Sequence, residues 1–227
     1  MNRRFRATTL PVAGAPAALD AAASFHAFRV LRLGVGAPLV LFDGAGAEVD
    51  AVVRAVDGGV VVAEAVGPPR APAARADVVL LVGLPKGPAM DLAVRMATEA
   101  GVTHVVPVVA RRSVATGDRA DRWRRIAAAA ARQCCRPDDP TIDEPSSLAD
   151  ALGRVTTPER WIALPTDGPP PAPTAAGAAL LVGPEGGFDP AEIALAHTHG
   201  FAPISLGPFV LRVETAAAIG VARLASR

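Results

Sequence analysis

Residues 180–188 read Leu-Leu-Val-Gly-Pro-Glu-Gly-Gly-Phe, and Asp189-Pro190-Ala191-Glu192 follow without a break. The apolar run is a buried-type strand, and the Gly/Pro/Glu turn after it leads straight into a helix. Asp189 stands at the N-cap, Pro190 at the first helical position, Glu192 completes a capping box, and Gly200 lies just past the end. In open α/β sheets ligands bind beyond the carboxyl ends of strands, and glycines there let a ligand come close to the backbone. The turn is neither GxGxxG nor a Walker A loop, so neither a dinucleotide nor an NTP is indicated.

The arrangement recurs at Leu206-Gly-Pro-Phe-Val-Leu-Arg-Val-Glu-Thr-Ala216, which sets Arg212, Glu214 and Thr215 at the entrance of the last helix. Glu214 suits the positive end of a helix dipole. Arg212 does not, and calls for a carboxylate, phosphate or ligand partner. Around these segments strands and helices alternate. The strands are expected at Val78–Leu84, His104–Val109, Trp161–Pro165, Ala179–Val182 and Pro203–Leu206. The helices are expected at Met90–Ala100, Asp121–Arg136, Ala191–His199 and Glu214–Ala225. Such alternation implies an α/β fold with a mainly parallel sheet covered on both faces. Gly168–Thr174 (GPPPAPT) is expected as a surface loop.

Residues 1–66 have a different rhythm. Val49, Ala51 and Val53 alternate with more polar neighbours, and Val60–Val66 is a second apolar run. Asp43-Gly44 and Asp57-Gly58-Gly59 sit where hairpin turns belong. A short helix is expected from Ser24 to Leu33, closed by Gly34. Gly67–Pro72 breaks all periodicity. The expected organisation is a small β-rich domain over 1–70, a linker over 71–76 and an α/β domain over 77–227.

Half of the 227 residues are hydrophobic and a fifth are charged, the profile of a globular protein. No apolar run approaches the roughly 20 residues of a membrane span, and no signal-peptide core follows the basic start, so a cytoplasmic protein without membrane contact is expected. Cys134 and Cys135 are adjacent, and the four histidines are scattered, so no metal site is expected. The net charge of +1 hides two basic segments. Residues 1–36 carry Arg3, Arg4, Arg6, Arg29 and Arg32 against Asp20, and residues 111–136 carry eight arginines against two aspartates. Arg125, Arg132 and Arg136 are spaced to share one helical face, which could grip a polyanion. Lys86 is the sole lysine.

Taken together these segments resemble the bacterial 16S rRNA uracil-N3 methyltransferase family of the SPOUT superfamily. The likeness spans nearly the whole chain: Arg4-Phe5; His26–Arg32 with Gly36 and Leu41–Gly44; Lys86-Gly87, Met90-Asp91 and Ala97–Gly101; Pro107 with Arg112-Ser113; Trp123, Arg132-Gln133 and Arg136; and both glycine segments. The resemblance implies an N-terminal PUA-like β-barrel for RNA and a C-terminal SPOUT domain with a deep trefoil knot. It implies S-adenosylmethionine (SAM) as cofactor, held by Leu164, Pro165 and Thr166, by Val182, Gly183, Pro184, Glu185, Gly186 and Gly187, and by Leu206, Gly207, Val210 and Leu211. It implies a homodimer, packed through the last helix, acting on one uridine of 16S rRNA in the 30S subunit.

Uracil N3 carries a proton, so the site must take an unpaired base and remove that proton. Arg212 is the candidate for orienting the base or stabilising its anion, and Glu185 or Glu214 for accepting the proton. Lys86, with the arginines named above, is a candidate RNA contact. The chain departs from the family at Pro88-Ala89, Phe209 and Val213. Another SPOUT RNA methylation, of ribose or a different base, stays open as an alternative, and the Phe209 and Val213 departures keep open a non-catalytic rRNA-binding assembly factor.

Overall fold

The computed structural model describes residues 3–71, 75–113, 119–166 and 177–225. The expected loop at Gly168–Thr174 lies outside them. The chain divides into two compact units, Met1–Ala74 with Ala131–Asp139, and Arg75–Ala130 with Pro140–Arg227.

The first unit is a five-stranded sheet of β1 (Arg4–Arg6), β2 (Pro16–Ala18), β3 (Pro38–Phe42), β4 (Glu48–Asp57) and β5 (Val60–Ala65), ordered β1-β3-β4-β5-β2. Val49, Ala51 and Val53 of β4 point inward with Leu39, Leu41, Val61 and Ala63, while Asp50 and Arg54 face out. The two-residue period therefore decides which face forms the core. The helix α1 (Ala21–Phe25) runs on as a π-helical turn over His26–Val30. It starts three residues before the expected Ser24, because the Asp20 carboxylate caps it by accepting the Ala23 amide at 2.7 Å. Its exit is also different. Arg32, not Gly34, takes the left-handed conformation, with φ of 52°.

The second unit is built on β6 (Asp77–Gly83), β7 (His104–Val109), β8 (Thr141–Ile142), β9 (Ser146–Ser147), β10 (Glu159–Ala163), β11 (Gly177–Val182) and β12 (Ala202–Ile204). All pairings are parallel, in the order β12-β10-β11-β6-β7-β8, with β9 also pairing β7. Val78, Leu80 and Val82 of β6 enter one core; Val79 and Leu81 enter another. Both faces are thus covered, as the unbroken apolar strands require. The first core takes in α2 (Ala89–Ala100), α3 (Ala120–Gln133) and α6 (Val213–Ala225), the second α4 (Leu148–Gly153) and α5 (Pro190–Thr198).

The small apolar residues of α6, expected to form a dimer face, are largely used inside this unit. Ala216, Ala217, Gly220, Val221 and Leu224 are buried, and Ile219 is left 41 % exposed. A Cβ on Gly220 would collide with the Leu180 side chain, so the helix lies close against β11. Among the described residues no helix is long and apolar enough to cross a membrane.

Candidate functional site

The neighbours β12, β10, β11 and β6 are parallel, so the segments that leave their carboxyl ends emerge along one edge of the sheet. These are the Lys86 loop, Leu164–Thr166, the Gly183–Gly187 turn and the Ser205–Arg212 segment. They enclose a cavity of about 1290 Å³, above the roughly 300–1,000 Å³ of common ligand clefts. β10 ends at Ala163, two residues before the expected Pro165, which frees Leu164–Thr166 to line the wall. Every residue expected at the cofactor lines this cavity except Gly186. So do Arg212, Glu185, Glu214 and Lys86.

The Pro184–Gly187 turn is closed by the Gly187 amide donating to the Pro184 carbonyl at 2.8 Å, with Gly187 at φ 65°. Beyond it the capping box is complete: Asp189 accepts the Glu192 amide and Glu192 accepts the Asp189 amide, each at 2.9 Å. The Arg111 guanidinium donates to Asp189 at 2.8 Å. That hydrogen bond, with the Glu192 amide, holds the Asp189 carboxyl below the usual aspartate range.

Glu185 faces the cavity but is already engaged. Its Oε1 accepts the Lys86 backbone amide at 2.9 Å, tying the lysine loop to the glycine turn. Arg212 is exposed on the wall, and its carbonyl accepts the Ala216 amide at 2.8 Å, the first hydrogen bond of α6. Among the described residues no carboxylate lies within 4.0 Å of its guanidinium, so the partner anticipated for it is not a side chain described in the protein. Glu214, half-buried, lines the same wall. Sequence reasoning missed Arg223, whose guanidinium lines the cavity and donates to the Ser205 carbonyl at 3.1 Å.

The basic residues separate into two groups. Arg3, Arg29, Arg32, Arg125 and Arg132 are exposed. Arg4 is not available as a surface contact: its side chain is 13 % exposed, paired with Glu48 and stacked on Phe42. Arg6, itself exposed, lies across Gly44 and pairs with Asp139 at 2.6 Å. The shared face proposed for Arg125, Arg132 and Arg136 is corrected at its third member. The helix α3 stops at Gln133, Cys135 turns left-handed at φ 65°, and Arg136 is 5 % exposed against Asp138. Three residues past the helix end, the spacing of four no longer fixes a face.

The chain is built from a five-stranded β unit and a parallel-sheet unit with a cavity at its strand ends, and both parts match domains of RNA-modifying proteins. Residues 72–225 match the RNA methyltransferase domain model and residues 19–64 the RNA methyltransferase PUA domain model. The chain belongs to this RNA methyltransferase family. It is 34 % identical to the ribosomal RNA small subunit methyltransferase E of Mycobacterium bovis, over 96 % of this chain and 88 % of the relative. The Neisseria gonorrhoeae ribosomal RNA small subunit methyltransferase E, solved with S-adenosyl methionine, superposes with a TM-score of 0.83 at 26 % identity, covering 98 % and 96 % of the two chains. A Legionella pneumophila protein solved with bound SAM gives 0.81 at 28 %, covering 100 % and 98 %.

Proposed function

We propose that this chain, working in the cytoplasm, transfers a methyl group from SAM to N3 of one uridine in 16S rRNA of the small ribosomal subunit. The observation that carries the reading is the convergence of three Gly/Pro-rich backbone segments and Arg212 on one cavity. The names of the relatives and the SAM bound in two similar structures support the cofactor and the rRNA substrate.

The cavity fits the cofactor where the side chains withdraw. A Cβ on Gly183 would stand 3.3 Å from the Gly187 Cα and the Phe188 ring, filling the hollow of the turn. Leu164–Thr166, Val182–Gly187 and Leu206–Leu211 would hold SAM through backbone contacts, and SAM supplies an electrophilic methyl on a sulfonium. The protein's own residues then have two tasks. Arg212 orients the base and stabilises the anion left when N3 loses its proton. Glu214 accepts that proton; Glu185, tied to the Lys86 amide, serves the turn instead. The knotted C-terminal threading of the family belongs to this reading, supported by β11 lying between β6 and β10. So does a homodimer, for which Phe209 and Val210, 80 % and 90 % exposed, and the partly exposed Ile219 offer apolar surface. Small-subunit rRNA from cells lacking the protein should contain no N3-methyluridine by nucleoside mass spectrometry, and the intact gene should restore it. Retention of the modification in those cells refutes the N3 assignment.

RNA binding should rest on both exposed basic groups. Neutralising a phosphate releases counterions, so log K falls with log salt by roughly 0.7–0.9 per contact. Changing Arg29 and Arg32 to Ala, or Arg125 and Arg132 to Ala, should weaken RNA binding and flatten that slope by about 1.5. SAM affinity should stay unchanged in both variants. An unchanged slope in filter-binding titrations removes that pair from the RNA face.

A further inference from the structure

Gly186 does not line the cavity, and the loop that follows β7 grips its peptide. Arg112 Nη1 donates to the Gly186 carbonyl at 2.6 Å. The Arg112 Cβ and Cδ pack 3.2 Å from where a Cβ on Gly186 would lie. The nitrogen of the same peptide unit, that of Gly187, donates to Pro184, so the plane is fixed at both ends. Arg111 secures the next stretch: its amide donates to Glu192 at 2.8 Å and its guanidinium to Asp189 at 2.8 Å. The β6 loop contributes Gly83, close against Pro184, and the Lys86 amide on Glu185. The sheet order β11-β6-β7 explains why both loops reach the turn.

We propose that Arg112 is a positioning residue of the cofactor site, holding the Pro184–Gly187 turn in its receiving shape before SAM arrives. It touches neither the cavity nor the reacting atoms, and it acts through the Gly186 carbonyl. A planar guanidinium suits this task because it can donate to the carbonyl while its stem packs on a residue without a side chain. Preorganisation of this kind appears in affinity, since the ligand then need not order the turn itself. The inference rests on the SAM-binding reading given above.

The test is SAM binding by calorimetry with steady-state methylation kinetics on the full chain. Arg112→Ala should raise both the Kd and the KM for SAM about ten-fold, the loss expected for one charge-assisted hydrogen bond. Its kcat at saturating SAM and its KM for RNA should stay within about two-fold. Arg112→Lys, which keeps a charged donor, should recover most of the affinity. Gly186→Ala crowds the same contact from the other side, and its penalty should shrink in the Arg112→Ala background. If Arg112→Ala fails to fold, Gly186→Ala alone decides, and an unchanged Kd for SAM overturns the proposal. A folded Arg112→Ala protein with wild-type Kd overturns it too, as does a rise in the KM for RNA alone. Wild-type protein that binds no SAM sinks the functional reading and this inference together; wild-type binding with an indifferent Arg112→Ala sinks the inference only.

Discussion

Gly183→Val should abolish SAM binding while the protein remains folded. Gly183 follows the last residue of β11, and a Cβ there would meet the Gly187 Cα and two Phe188 ring atoms at 3.3 Å. That spacing is tight for one carbon, and the branched valine adds two methyl groups that must enter the turn or the cavity. Either way the backbone surface that would receive SAM is displaced. The strand itself should hold, because Ala178–Val182 are buried and hydrogen-bonded to β6 in register. Calorimetry should find affinity weakened at least about 100-fold, which corresponds to roughly 2.7 kcal/mol. The melting temperature should fall by only a few degrees, about 1 kcal/mol for a chain of this size. Gly183→Ala should fall between, since a few tenths of an ångström of adjustment relieve it. Undiminished SAM binding by the valine variant, with its fold intact, would remove this turn from the site.

Long elements with a strict period could be read from the sequence; most short ones could not. β7 was expected at His104–Val109 and lies there, and the capping box of α5 forms with both of its hydrogen bonds. β1 and β2 have three residues each, and β8 and β9 two, too few for a two-residue period to register; β12, expected at Pro203–Leu206, forms at Ala202–Ile204. β11 begins at Gly177, two residues before the expected Ala179, because burial between β6 and β10 overrides the weak strand preference of Gly and Ala. The cavity wall was legible where Gly and Pro cluster after apolar strands. Contacts between distant loops carry no local signal, so Arg112 on Gly186 and Arg223 on Ser205 appear only in three dimensions. Charge pairing is hidden for a related reason. An arginine count does not show that Glu48, Asp138 and Asp139 stand opposite Arg4, Arg136 and Arg6.

Arg212→Ala should lower kcat by about 10²–10³-fold, the usual loss when one donor to a developing anion is removed. Its effect on the Kd for SAM should be small. The backbone at this position is fixed by the bond from the Ala216 amide, so truncating the side chain leaves the cavity wall in place. What disappears is the positive charge. Arg212 stands at the amino end of α6, where the helix dipole adds to its field and an anion is favoured. Loss of the N3 proton spreads negative charge over N3 and the two flanking carbonyl oxygens of uracil. A guanidinium can meet two of those atoms with parallel donors, whereas an ammonium offers a point charge. Arg212→Lys should therefore recover only part of the lost rate, about ten-fold, and SAM binding should match wild type in both variants. Single-turnover methylation of 30S subunits at saturating SAM measures the step directly. An unchanged rate there, with a raised KM for RNA, would make Arg212 a phosphate anchor rather than the group that stabilises the uracil anion.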